Sequence, residues 1–162
     1  MPAGAARFVD GYLAYLLARA SHLVSAQFHA RLPEARLSVA EWRVLCTLSD
    51  GDRLAVGALA RFVLHKQPTL TKILDRMARR GWVKRAASEA DGRIVLVRIT
   101  AAGRRKVAPL LAAAKRHEAD VLAGSGGAEA EALKAVLRDL IARCAADSMP
   151  TPPALSKRLR TR

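Results

Sequence analysis

The apolar positions of this chain fall into helical runs at both ends and a mixed helix-and-strand pattern between them. Leu70, Ile73, Leu74 and Met77 are spaced i, i+3, i+4 and i+7, one stripe of an α-helix. Lys72, Asp75, Arg76 and Arg79 lie on the opposite side, with Pro68 and Thr69 beside them at the N-terminal end. The spacing predicts a helix with Gln67 as N-cap and Pro68 as its first residue, where a missing N–H costs nothing. A basic last turn, Arg79 and Arg80, and then Gly81 at the C′ position predict where it stops. A shorter helix near Val56 to Val63 precedes it, with Leu59, Ala60 and Val63 inward and Leu64, His65 and Lys66 as the turn. After Gly81, Trp82 to Arg85 reads as a strand, Ser88 to Gly92 as a turn, and Ile94 to Ile99 as a second, β-branched strand. Helix, turn, helix, hairpin is the order of a winged helix.

The flanks are helical. Arg7 to about Arg31 reads as one long helix, with Phe8, Tyr12, Tyr15, Leu16, Arg19, His22, Leu23 and Ala26 on helical spacing, ended by Pro33. A stripe this long exceeds what a small wing domain can bury, so it calls for another helix or another subunit. Ser38 and Glu41 form a capping box for a helix to about Ser49, with Trp42, Leu45, Cys46 and Leu48 inward. Thr100 is placed to cap a second long helix to about Ala123, with Val107, Leu110, Leu111, Ala114, Val121 and Leu122 apolar and Pro109 expected to kink it. Gly124 to Gly127 breaks the pattern before a third long helix, Ala128 to about Asp147. The expected fold class is mainly α with a small β-wing. Residues 1–34 are read as a dimerisation helix behind a loose arm, Met1 to Ala6. Residues 35–100 are read as a winged helix-turn-helix DNA-binding domain, 101–148 as C-terminal dimerisation helices, and 149–162 as a disordered basic tail.

Charge sharpens the picture. The chain has 162 residues with 28 Lys/Arg against 14 Asp/Glu, a formal net charge of +14. Its pI is about 11.2, above the value of about 9 that marks a nucleic-acid footprint. Fifteen of the basic and six of the acidic residues fall between Arg36 and Arg105, so the excess is concentrated in the winged region. An anionic membrane surface is the other partner such a charge suits. No apolar run approaches the roughly 18 residues of a spanning helix, and no signal-peptide pattern opens the chain. The expectation is a cytoplasmic protein without membrane association.

The motifs in this region resemble the DNA-binding domain of MarR-type bacterial transcriptional regulators. Asp91-Gly92-Arg93, five residues, then Ile99-Thr100 matches that family's wing signature. Gln67 to Met77 matches its recognition helix, and Arg80-Gly81-Trp82-Val83-Lys84-Arg85 its helix exit. The similarity runs from about Phe8 to Ala145. Ala55 departs from it where a Thr or Ser cap is common, and Gly92 where a second basic residue is common. The resemblance implies a triangular homodimer, two recognition helices about one DNA turn apart, and a pseudo-palindromic operator.

Pro68, Thr69, Thr71, Lys72 and Arg76 are the residues expected to face the major groove of double-stranded DNA. The hydroxyls suit bases or phosphates, and Lys72 and Arg76 suit guanine edges or phosphates. Gln67 suits an adenine or serves only as a cap. Arg93 at the wing tip is expected in the minor groove, where narrow A/T segments concentrate negative potential. By the resemblance, Asp91 orients that arginine; a plain turn former is the other reading. Ser38 and Arg61 are secondary candidates for phosphate. The family resemblance also implies a small phenolic or aromatic acid between the helical interface and the winged domain. Tyr15, Arg19, His22, Trp42 and Arg43 are the candidates to line that cleft, pairing an arginine with a carboxylate and an aromatic with a ring. Trp42 serves equally as core.

Other functions find less support. His22 and His29, seven apart on one face, lack a third ligand, so no metal site is expected. No P-loop, dinucleotide fingerprint or nucleophile elbow is present, so neither an enzyme nor a cofactor is expected. Cys46 reads as core and Cys144 lies near the end of the last helix, which leaves cysteine-based redox sensing as an alternative to ligand sensing. An architectural protein that coats DNA without sequence preference is a further alternative.

Overall fold

The computed structural model describes residues 7–51 and 53–147. The loose arm and the basic tail expected from the sequence lie outside the described residues. Along the sequence the chain divides into two compact units between Val121 and Leu122.

The first unit opens with α1 (Phe8–Gly11) and α2 (Leu13–His29). These correct the single long helix expected here. Tyr12 takes an extended conformation, φ −82° and ψ 112°, and separates the two. The break follows Gly11, the one glycine of the stretch and its poorest helix former. Only Phe28 of α2 is buried, and Phe8, Tyr12, Leu16 and Leu23 are exposed.

The winged domain is built from α3 (Val39–Thr47), β1 (Leu54–Ala55), α4 (Val56–Phe62), α5 (Gln67–Arg79), β2 (Val83–Ala87) and β3 (Val95–Ile99). Leu70, Ile73, Leu74 and Met77 are all buried on the inner stripe of α5, as their spacing predicted. They meet Val44, Leu45 and Leu48 of the α3 region and Leu59 and Val63 of the α4 region in one core. The N-cap of α5 is Lys66 and not Gln67, so the helix begins one residue earlier than predicted and Pro68 sits in its first turn. That turn has no intrahelical acceptor for its N–H groups, so either register tolerates proline.

Both helix exits are Schellman motifs. After α5, Gly81 takes φ +71°, its N–H bonds the Ala78 carbonyl at 2.9 Å, and the Trp82 N–H bonds the Met77 carbonyl at 3.0 Å. After α4 the left-handed position is filled by Leu64 at φ +58°, with His65 N–H on the Ala60 carbonyl at 3.1 Å. A leucine there has a Cβ that crowds the following carbonyl, so the helix-turn-helix corner is held under local strain.

The sheet has three strands in the order β1-β3-β2, all antiparallel, where the sequence predicted a two-stranded hairpin. The extra strand is only Leu54–Ala55, paired with Val97 and Leu96, too short for alternation to reveal. Ala55 doubles as the N-cap of α4 without a side-chain bond. Thr100 closes the sheet onto the next helix, α6 (Ala101–Val121). Its Oγ1 accepts the Gly103 N–H at 3.0 Å and lies 2.6 Å from the Gly81 carbonyl oxygen. A Cβ on Gly103 would meet the Trp82 carbonyl oxygen at 2.2 Å, so only glycine lets α6 approach the backbone just before β2. Helix α6 runs through Pro109 and buries Val107, Leu110 and Ala113, while Val121 is exposed. His117 Nε2 lies 3.2 Å from Gln27 Oε1, joining α6 to the end of α2.

The second unit contains α7 (Gly127–Asp147), one residue longer at its start than predicted. Leu133, Val136 and Ile141 are exposed along it.

Candidate nucleic-acid interface

The first turns of α5 carry the polar groups expected at DNA. Gln67, Pro68, Thr69 and Lys72 are exposed, and Thr71 is half-buried with its hydroxyl donating to the Gln67 carbonyl at 3.0 Å. Arg61, at the end of α4, is also exposed. A cleft beside α5 is lined by Gln67, Thr71, Arg85, Arg93 and Ile94, with Gly57 behind. The recognition-helix start and the wing base thus share one concave surface. Asp91 shapes the wing turn through its backbone contacts. Its Oδ1 accepts the Arg93 N–H at 3.0 Å and its carbonyl accepts the Ile94 N–H at 2.9 Å.

Arg76 and Ser38 are placed differently from the other candidates. Arg76 Nε donates to Glu41 Oε1 at 3.1 Å, and Arg80 Nη1 reaches the same oxygen at 3.4 Å. Glu41 Oε2 accepts the Ser38 N–H at 2.9 Å and lies 3.0 Å from Ser38 Oγ, which itself accepts the Glu41 N–H at 3.2 Å. Glu41 is 3% exposed. Burial pushes its carboxyl upward, but the bonds from Ser38 and Arg76 outweigh that and hold it below the usual glutamate value. The Ser38 hydroxyl is therefore engaged in the cap, and Arg76 is turned toward α3 while nearly half its side chain stays accessible. Arg80 also covers the Trp82 ring at 4.9 Å. Arg85 of β2 forms an ion pair with Asp75 of α5. Glu41, Arg80 and Arg85 are the residues missed at the sequence level. Glu41 was legible as a cap, but its partners lie 35 and 39 residues away.

The candidates for a ligand cleft separate. His22 and Arg43 line one recess between α2 and α3, together with Ser21, Ser25, His29 and Val39. Tyr15 and Arg19 are exposed on α2 and are not among its walls. Trp42 is buried against Phe28, ring centroids 4.9 Å apart, so of its two readings the core one is realised. His29, set aside from the sequence, is part of the recess because seven residues is two helical turns and returns it to the face of His22. Burial and the Arg43 charge lower its pKa. Cys46 is half-buried; burial and Asp50 push its thiol up, against a smaller opposing effect of Arg43, which disfavours the thiolate a redox sensor needs. Among the described residues no helix is long and apolar enough to cross a membrane.

Comparison with known proteins places this geometry. Residues 37–95 match the model of the MarR family. The chain is 33% identical over 93 residues to the HTH-type transcriptional repressor IacR of Pseudomonas putida. That match spans 57% of this chain and 56% of the repressor, little more than half of either. Among solved structures, a MarR family transcriptional regulator from Silicibacter pomeroyi DSS-3 is 41% identical, with a TM-score of 0.75 over 86% of this chain and 99% of that one. BpsR of Bordetella bronchiseptica, whose DNA binding is regulated by 6-hydroxynicotinic acid, is 27% identical, with a TM-score of 0.70 over 85% of this chain and 97% of its own. This chain belongs to the MarR family of transcriptional regulators.

Proposed function

We propose that this regulator is a cytoplasmic homodimer that binds a pseudo-palindromic operator, represses from it, and is released by a small phenolic or aromatic acid. The observation that carries the reading is the concave surface where Gln67 and Thr71 of α5 meet Arg93 of the wing. Exposed Pro68, Thr69 and Lys72 extend the same helix end toward the major groove, and Arg93 reaches the minor groove beside it. Ser38, Arg61, Arg76 and Asp91 support that contact by capping, by phosphate pairing or by shaping the turn. Dimerisation is supported by the apolar side chains that α2 and α7 leave exposed. Residues 1–34 and 101–148 supply those helices around the DNA-binding domain 35–100. Repression is supported by the relative from Pseudomonas putida, which is a transcriptional repressor.

Ligand control is supported by the recess at His22, His29 and Arg43, which sets a guanidinium beside imidazoles. That combination suits a carboxylate on a small ring, the chemistry of the acid that regulates BpsR. The role is binding without turnover.

The test is a mobility shift with the intergenic DNA upstream of the protein's own gene, excess unrelated DNA, and then a panel of hydroxylated aromatic acids. A discrete shift that survives competitor and is reversed by one acid supports each part. A shift lost equally to any competitor replaces the reading with an architectural one.

A further inference from the structure

The acidic residues of the winged domain are unevenly spent. Three arginines on the core side of the sheet and at the end of α5 have carboxylates: Arg85 pairs with Asp75, and Arg76 and Arg80 with Glu41. On the outer face of the sheet the cations have none among the described residues. There Lys84 of β2 sits directly opposite Arg98 of β3 in the antiparallel register, and both are exposed. Like charges directly opposed across strands destabilise a sheet, so nothing in folding favours this pair.

Two hollows on this face join it to its neighbours. One is lined by Arg53, Lys84 and Arg98 over Ala86 and Leu96, with Arg85 and Val97 at its wall, and the next by Lys84, Arg98 and Arg104. Arg104 is held in place by a bond from Nη1 to the Ser49 carbonyl at 2.6 Å. The result is a row of cations with an apolar floor, on the opposite side of the sheet from α5, the helix that Arg85 anchors from the inner face. Arg85 lines both the first hollow and the cleft beside α5, whereas Gln67, Thr71 and Arg93 line only the cleft.

We infer that the outer face of the wing sheet is a second phosphate-binding surface, which holds the sugar-phosphate backbone of DNA flanking the operator. The inference rests on the operator-binding reading above. Evenly spaced phosphodiesters suit a row of lysine and arginine that reads no bases, and the Ala86–Leu96 floor suits the apolar edge of deoxyribose. Contacts of this kind add affinity and salt dependence without altering sequence preference.

The test compares the full-length protein with its Lys84→Ala/Arg98→Ala variant on two duplexes, one the minimal operator and one the same operator with about one helical turn added at each end. The wild type is expected to bind the longer duplex several-fold tighter. The variant is expected to keep its affinity for the minimal duplex and lose the gain. Its salt slope on the long duplex should fall by about 2 per protomer, two contacts at about 0.9 each. Its Tm should hold or rise, because a repulsive pair is gone. Lys84→Glu, which turns the pair with Arg98 into an attractive one, must lose the flank gain too while remaining folded. No gain in the wild type, a gain kept by the variants, or an equal loss on both duplexes overturns the inference. A wild type that fails on the minimal operator as well overturns the proposed function itself.

Discussion

Single side chains decide how the winged domain is assembled. Gly103 is the clearest case, because the Trp82 carbonyl oxygen occupies the space a Cβ would need at 2.2 Å. Gly103→Ala forces α6 away from the backbone just before β2 and is expected to cost about 3 kcal/mol, at the upper end of overpacking, read as a fall in the urea midpoint. Glu41 is the other. It accepts bonds from Ser38, Arg76 and Arg80 while almost fully buried. Glu41→Gln is expected to lose about 1–3 kcal/mol at pH 7, the value of charge-assisted bonds with one partner half-exposed. Its carboxyl is depressed in the folded state, so the stabilisation is complete above the ordinary glutamate value of about 4.3 and is lost as pH falls through the lower folded value. The difference between wild type and Glu41→Gln in chemical denaturation should thus narrow only below about pH 4.3; a gap that narrows between pH 6 and 8 contradicts this assignment.

Helix α5 shows how one element carries two kinds of arginine and lysine. Lys72 is exposed near its start, whereas Arg76, one turn on, is tied to α3 through Glu41. Lys72→Ala is expected to weaken operator binding by about 1–3 kcal/mol with no effect on folding, and to relax sequence preference if it reads a base. Arg76→Ala is expected to lower thermal stability as well as binding, because it unpairs Glu41. Tm and operator titration on both variants check this, and an Arg76→Ala protein with unchanged Tm contradicts the clamp. The strained corner at Leu64 sets the angle at which α5 leaves α4, so the element's aim depends on a backbone position as well as on its own sequence.

At the level of the whole molecule, the proposed dimer covers apolar side chains that the described helices leave open. Phe8 is 80% exposed, and Leu16, Leu23, Val136 and Ile141 are likewise open. Leu16→Glu with Leu23→Glu is expected to yield a monomer in sedimentation, with the winged domain still folded, because neither side chain belongs to its core. On the proposed two-half-site operator, affinity should fall by orders of magnitude, since a monomer holds one half-site where a dimer holds both. A double variant that remains dimeric at micromolar concentration removes α2 from the interface.

The sequence by itself determined the element order, the inner stripe of α5, both caps at Ser38 and Thr100, and the glycine exit at Gly81, because each is written in spacing of a few residues. The family motifs lie in that same local register, and the family was legible for that reason. Tertiary structure decided what depends on distant partners. It added a two-residue strand paired only with β3, and seated Trp42 against Phe28. It joined His22, His29 and Arg43 in one recess and committed Arg76 to Glu41 across 35 residues of chain. Lys84 and Arg98 became neighbours only through strand pairing. Periodicity reports which face of an element is apolar; which charges share a surface follows from how the elements pack, and no window of adjacent residues contains that.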